Sequence, residues 1–348
     1  MSTAFIEIDE IDEIVKPAEP PEYGLLQLIF GGVVAQTVYA AAKLGTADHL
    51  ISGPKSVEEL AISSNTDANS LYRVLRALAS LGVFVEHENR IFGLTPVGEK
   101  LRSGSLRDAA IFMGEGWHLD VWAGIVDSVR TGESQWSKVH GLEAFDYLAR
   151  NPEASQVFDQ AMTSLASLSV EVVIRAYDFT GVETLVDVAG GHGRLLTSIM
   201  RTQPMIRGVL FDLPHVIEGA KERLNVGEFG DRLEFVSGDF FQSVPRGADV
   251  YIVKHIIHDW DDERALTILK NIRQAMKPNG KVVLMEAVLG EPNVADLSKL
   301  MDIAMLVVAG GKERTINEYR ELLSRAGLRL SQTIPTKSAY TLLEAVIE

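Results

Sequence analysis

Cysteine is absent from the 348 residues. Its absence removes disulfide frameworks, thiolate nucleophiles and Cys-based zinc sites together. Basic residues are scarce, 33 Lys and Arg against 48 Asp and Glu, for a net charge of −15. A chain this acidic repels phosphate backbones and anionic membrane surfaces, so neither nucleic acid nor membrane is expected as a partner. The opening residues show no basic-then-apolar leader pattern, and a cytoplasmic location is the expectation. Residues 1–20 are acidic and flanked by Pro17, Pro20 and Pro21; they read as a mobile tail. Long apolar runs are also few. Residues 25–42 carry no formal charge and are long enough to raise the question of a membrane span. Gln27, Gly31, Gly32, Gln36 and Thr37 interrupt the run, and no cationic flank follows it. A buried helix pair, within the protomer or between protomers, is expected instead.

What is present builds real cores: 46% of the chain is apolar, and its length suits about two domains. Residues 21–105 read as helices followed by a hairpin. Ser56 three residues before Glu59 is a capping box. Asp67 or Asn69 caps the next helix, whose apolar stripe is Leu71, Val74, Leu75, Leu78 and Leu81, with Gly82 ending it. Short strands at 83–86 and 91–94 follow, and Thr95-Pro96 is read as starting another helix. Helix, turn, helix and hairpin form a winged-helix pattern. Such a pattern serves DNA binding or a packing and dimerising scaffold. Eight basic against 14 acidic residues over 1–103 favour the scaffold.

Residues 106–178 read as a helical linker with many large side chains, among them Met113, Trp117, Phe158 and Met162. Most such residues are core; an aromatic-walled substrate pocket is the sharper expectation. From residue 179 onward strands and helices alternate. Strands are expected at 184–189, 208–212, 233–236, 249–254 and 281–288, with a helix at 263–276, giving a mostly parallel, doubly wound α/β sheet. Two late strands at 328–333 and 340–347 lie too close for a crossover and suit an antiparallel pair, making seven strands.

Asp187-Val188-Ala189-Gly190-Gly191-His192-Gly193 runs from a strand into a glycine-rich turn and a helix. That is where open α/β sheets hold ligands. The third glycine of a dinucleotide fingerprint is missing, and the acid just before the loop is poorly suited to a pyrophosphate. Asp212 ends the second strand, placed to accept both hydroxyls of a ribose. Asp239 follows the third strand in Gly238-Asp239-Phe240-Phe241, where a carboxylate accepts from an adenine amino group while Phe240 covers the ring. Acids at three successive strand ends fit adenosine bearing an ammonium group and no phosphate, hence S-adenosylmethionine. If they serve only the fold, they cap helices.

His258, in His258-Asp259-Trp260-Asp261-Asp262, leaves the fourth strand beside this loop and is a general-base candidate. The run of Asp residues invites a metal reading, but acids opening a helix serve more often as caps, and no metal is expected. His255 and His192 read as structural or lining groups. Glu286, ending the fifth strand, and Glu313, in Gly310-Gly311-Lys312-Glu313-Arg314-Thr315, are each placed to hold the imidazole in one tautomer.

These segments resemble the S-adenosylmethionine-dependent O-methyltransferases of plant caffeate and of microbial polyketide and phenazine type, which are cation-independent class I enzymes. The likeness spans nearly the whole chain. It lies in the D-V-A-G-G-H-G loop, Phe211-Asp212-Leu213-Pro214-His215-Val216, Gly238-Asp239-Phe240-Phe241, His258-Asp259-Trp260-Asp261-Asp262 and Gly310 to Thr315. The resemblance implies a Rossmann-like methyltransferase domain at 179–348, with a mostly parallel seven-stranded sheet. It also implies an all-helical winged-helix domain for homodimerisation at 21–105. Carried over by position, Asp187, Gly190, Gly191, Asp212, Leu213, Gly238, Asp239, Phe240 and Lys254 contact the cofactor. His258 becomes the base flanked by Glu286 and Glu313. Met113, Trp117, Phe158, Met162, Asp259, Met301 and Met305 become candidates for lining the substrate pocket. Ala189 departs from the family's first glycine; a methyl group is tolerated there if the backbone stays extended.

The implied reaction is direct methyl transfer to a phenolic oxygen of a small aromatic. A phenol has a pKa near 10 and needs a base at neutral pH. The competing readings are a nicotinamide dehydrogenase, a ligand-sensing DNA regulator, and a relative that binds the cofactor but decarboxylates or hydroxylates its substrate. Retention of His258, Glu286 and Glu313 argues against the last.

Overall fold

A computed structural model describes residues 20–224, 226–336, 338 and 340–348, without the side chains of residues 166–169 and 226. All of the expected tail except Pro20 lies outside the described residues. The uncharged run forms two helices, α1 (Pro21–Ile29) and α2 (Gly31–Lys43), bent by 44° at Phe30. Within this protomer α1 has no buried residue, and Leu28, Ile29 and Val33 stand more than half exposed. The within-protomer form of the buried-pair expectation therefore does not hold for α1. Ala41 and Ala42 of α2 are buried.

Strand β1 (Lys55–Ser56) leads into α3 (Val57–Ser64), which carries the expected capping box at Ser56 and Glu59. Asp67 caps α4 (Ala68–Ser80), which buries Leu71, Leu75 and Leu78. Strands β2 (Phe84–His87) and β3 (Ile91–Leu94) form the hairpin, and β1 pairs with β3. The N-terminal segment thus joins helices to a three-stranded antiparallel sheet, so it is not all-helical. The helix expected at Thr95-Pro96 is only a single 3₁₀ turn, Gly98–Leu101. The Thr95 hydroxyl donates to the Gly82 and Val83 carbonyls and accepts from the Gly98 N–H, which holds a turn rather than a helix cap.

The middle of the chain is helical. It includes α5 (Arg107–Gly114), α6 (Ala144–Arg150) and the 25-residue α7 (Pro152–Ala176). By length and composition α7 passes as a membrane-spanning helix; in the fold it packs on α5 and on α8 (Arg194–Thr202).

The C-terminal half is built on a seven-stranded sheet. Its strands are β4 (Thr184–Val188), β5 (Arg207–Asp212), β6 (Leu233–Ser237), β7 (Val250–Lys254), β8 (Lys281–Glu286), β9 (Leu328–Pro335) and β10 (Thr341–Ile347). Their order is β6-β5-β4-β7-β8-β10-β9, and only β10 pairs antiparallel, with β8 and β9. Strands β4, β7 and β8 are nearly continuous Val, Leu and Ile runs because helices cover both faces. On one face α10 (Asp262–Ala275) and α12 (Ile316–Arg325) bury Leu269, Ile272, Leu322 and Leu323. On the other, α8 and α9 (Pro214–Arg223) bury Leu196, Ile199, Met200 and Ile217. The chain order reverses at β4, between β5 and β7, so the carboxyl ends of the strands open a crevice there.

Candidate active site

Each parallel strand delivers a polar residue at its carboxyl end. Asp187 sits near the end of β4, buried, with Oδ2 lacking a hydrogen-bond partner. Burial pushes its carboxyl up to about 7, against the pull of nearby Lys254. In turn burial pushes the Lys254 ammonium down, opposed by Asp187 and Glu286. Gly190 admits no side chain, because a Cβ would overlap Leu210 and the Asp187 carboxyl. Gly191 has φ +58°, and its N–H donates to Asp212 Oδ2 at 2.8 Å. Leu213 N–H donates to the other oxygen at 2.7 Å. Burial raises the Asp212 pKa, and these two N–H groups oppose the rise. Asp239 accepts from Phe241 N–H and from the Gln242 amide. At Gly238 a Cβ would overlap the Phe211 ring, so the chain passes close over β5.

Ala189 corrects an expectation. Its φ is +54°, in the left-handed region, not extended. A side chain there costs roughly 1–2 kcal/mol relative to a relaxed backbone. The loop therefore holds its turn under strain where a glycine would carry none.

On the other side of β4, His258 is buried in a short 3₁₀ turn after β7. Its Nδ1 is 2.7 Å from Glu313 Oε1 and 3.9 Å from Glu286 Oε2. Asp259 Oδ1 lies 3.5 Å from Nε2. Of the two acids expected to fix the tautomer, Glu313 makes the hydrogen bond. Glu286 instead accepts the Ile257 N–H at 3.0 Å, and its Oε2 has no partner. Burial works against a charged imidazole, but Asp259, Glu286 and Glu313 outweigh it and raise His258 to about 10. Burial lifts Glu286 to about 7 and Asp259 to about 6, with His258 opposing both. His255, also at positive φ (+54°), packs its ring on Tyr340 at 4.2 Å and lies 5.4 Å from the His258 ring.

The acids at the strand ends and the carboxylate-ringed imidazole all lie in a stretch that matches one known domain, and a second known domain matches the N-terminal part of the chain. The O-methyltransferase domain matches residues 122–329, and the O-methyltransferase dimerisation domain matches 26–103. This chain belongs to the O-methyltransferase family. It is 44% identical to the phenazine O-methyltransferase PhzM of Lysobacter antibioticus, over 92% of this chain and 95% of that one. It is 32% identical to the phenazine-1-carboxylate N-methyltransferase of Pseudomonas aeruginosa, over 89% of this chain and 92% of that one. The crystal structure of human N-acetylserotonin methyltransferase in complex with SAM superposes with a TM-score of 0.87 at 28% identity. That match covers 95% of this chain and 99% of the human one.

Among the residues expected to line this methyltransferase's substrate pocket, Trp117 and Phe158 both pack on Phe112, each with ring centroids 5.7 Å away. Met162, Met301 and Met305 are half-buried, whereas Met113 is 49% exposed. Met301 lies in α11 (Leu297–Ala304); Met305 opens the π-turn that follows it.

Two residues went unrecognised in the sequence. Arg314, fully buried, donates to the Ile257 and Trp260 carbonyls and to Asp262, clamping the loop that carries His258. Asp302 accepts the Glu313 N–H at 2.9 Å and ties α11 to the loop that orients the imidazole. Arg314 lies within a quoted motif, so its position was visible but not its role. Asp261 does cap α10, by accepting the Arg264 N–H, as the cap reading of the acidic run requires.

Proposed function

We propose that this enzyme moves a methyl group from S-adenosylmethionine to a phenolic hydroxyl of a flat aromatic secondary metabolite, with His258 as general base. The observation that carries the reading is the 2.7 Å Glu313–His258 Nδ1 contact in a buried loop next to the strand-end cradle. The cradle fits the cofactor: Asp187 has an orphaned buried oxygen for an ammonium group, and a Cβ would fill the space at Gly190. Asp212, held by Gly191 and Leu213 N–H groups, takes the ribose hydroxyls. Asp239 and Phe240 take the adenine, Gly238 leaves room for it, and Lys254 lies against the cofactor. The cofactor supplies an electrophilic methyl on a positively charged sulfur.

The chain's own groups handle the proton. Glu313 accepts from Nδ1–H, so Nε2 is the basic nitrogen facing the acceptor. Nε2 takes the phenol proton as the oxygen attacks, and Glu313 with Glu286 stabilises the imidazolium. Such help contributes roughly 10²- to 10⁴-fold. The surrounding carboxylates strengthen the imidazole as a proton acceptor for a phenol, whose own pKa is near 10. A positive charge held in the neighbouring cradle opposes that rise and favours the neutral, basic form. Asp259 borders the acceptor, and alignment supplies much of the remaining acceleration.

The supports are the family membership and the relatives' names, which cite phenazine substrates. One of those relatives methylates nitrogen, so the acceptor atom is part of the test. Residues 21–105 serve homodimerisation, with the exposed apolar side chains of α1 forming the surface covered by a second copy. Mass spectrometry of phenols and amines incubated with S-adenosylmethionine tests the reading. A gain of one CH₂ on a phenol supports it; methylation of amines alone contradicts it.

A further inference from the structure

We propose that His255, His258 and Glu286 form a binding site for one divalent transition-metal ion, Zn²⁺ or a cation of its kind, and that the bound ion switches methyl transfer off. The inference rests on the reading of His258 as the base and adds to it a means of regulating that base.

The three residues come from neighbouring strands. His255 and His258 follow β7, and Glu286 ends β8, which pairs with β7 in parallel. His255 turns at φ +54°, and its ring comes back to 5.4 Å from the His258 ring. One ligand atom from each residue lies within 4.8 Å of the other two. Between His258 and Glu286, Nδ1 and Oε2 are 3.9 Å apart. A zinc ion with bonds of about 2.0–2.1 Å holds tetrahedral ligand atoms about 3.4 Å apart, so small side-chain rotations close the set.

The donors set the class of ion. Two imidazoles and one carboxylate suit Zn²⁺, Co²⁺, Ni²⁺ and Cu²⁺, whereas Mg²⁺ and Ca²⁺ favour oxygen alone. Glu286 is fully buried; its Oε1 accepts the Ile257 N–H, and its Oε2 has no partner. Neither ring nitrogen of His255 hydrogen-bonds to a described residue, and His255 is partly exposed, which gives the site its open side. Glu313 Oε1, 2.7 Å from Nδ1, adds a second carboxylate, so a dication is charge-balanced in the interior. The acids of the neighbouring run are committed elsewhere: Asp261 caps α10, and Asp262 accepts from Arg314.

Occupancy reverses the tautomer that catalysis needs. Without the ion, Nδ1 carries the proton that Glu313 accepts, and Nε2 holds the free lone pair. A neutral imidazole has one N–H. An ion on the Nδ1 lone pair leaves that proton on Nε2, with no net proton gained or lost. Nε2–H then faces Asp259 Oδ1, 3.5 Å away, and has no lone pair for the phenol proton.

The test uses free Zn²⁺ buffered with nitrilotriacetate, the wild type, His255→Asn, which suits the left-handed turn, and His255→Phe, which keeps the packing on Tyr340. Calorimetry of Zn²⁺ with the wild type is expected to give one tightest ion per chain, with affinity at least about 10-fold weaker in both variants. Methyl transfer to a phenol is expected to fall with free Zn²⁺ and to recover with a chelator. Relative to each protein's own metal-free rate, both variants need at least about 10-fold more Zn²⁺ for the same inhibition. Mg²⁺ is expected to leave turnover unchanged. Absent binding, or the same binding in all three proteins, overturns the inference, as does equal inhibition of all three. An ion lost with His255 while wild-type turnover persists leaves the metal site standing and overturns the base reading on which the inhibition rests. If the wild type methylates no phenol, calorimetry alone decides the site.

Discussion

The two flanks of β4 hold the same kind of side chain in opposite settings. On the β5 and β6 side, Asp212 and Asp239 are satisfied by backbone N–H groups. Their geometry is fixed by those donors before any ligand arrives. On the β7 and β8 side, Asp259, Glu286 and Glu313 crowd one imidazole, and Glu286 Oε2 and Glu313 Oε2 are buried without partners. Backbone donors suit recognition, because they hold a charge without moving it. Unsatisfied carboxylates around a titratable ring suit proton transfer, because the cluster gains or loses a proton at modest energetic cost. Asp187 lies between the two flanks and has features of both.

Substitutions on each flank should therefore fail differently. The largest effect is expected at Asp187. Its folded pKa is raised from 3.8 to about 7, so the stability it withholds grows as pH rises through that window and is constant above it. Asp187→Asn should stabilise the cofactor-free enzyme by about 2–4 kcal/mol at pH 8 relative to pH 4, read by denaturant unfolding, while weakening cofactor binding. On the recognition flank, Asp212→Ala should weaken S-adenosylhomocysteine binding by about 100-fold by calorimetry, with little change in the acceptor's KM at saturating cofactor. On the proton-transfer flank, Glu313→Gln removes a negative neighbour. The His258 pKa should fall, moving the alkaline rise of kcat/KM to lower pH by about 1–2 units with cofactor affinity kept. The smallest effect is at the hinge between the flanks. Ala189→Gly relieves a residue at φ +54° and should raise stability by about 1 kcal/mol, part of the strain relief being lost to the freer unfolded chain.

The recognition flank was legible in the sequence because each of its acids lies within a few residues of a strand end. Strand, glycine turn and acid are one contiguous signal, whereas the order in which the seven strands pair is set by the crossovers and was visible only in the fold. The proton-transfer flank was legible only in its members. His258, Glu286 and Glu313 stood out as residue types, yet which acid bonds Nδ1 depends on the fold bringing the 310–315 loop against the loop after β7. The same long-range packing hid the roles of Arg314 and Asp302. Tolerance of the Ala189 methyl group is tied in the sequence to an extended backbone; the residue instead sits at φ +54°, a conformation that non-glycine residues rarely enter and that no local pattern signals. At Thr95-Pro96 a local helix-start pattern lost to hydroxyl bonds back to Gly82 and Val83.

The division of labour across β4 is tested most directly by His258→Ala, assayed for methyl transfer to a phenol by mass spectrometry and for S-adenosylhomocysteine binding by calorimetry. The account predicts turnover reduced by roughly 10²- to 10⁴-fold with cofactor affinity unchanged. Turnover close to the wild type's, with a phenol the wild type accepts, would contradict it.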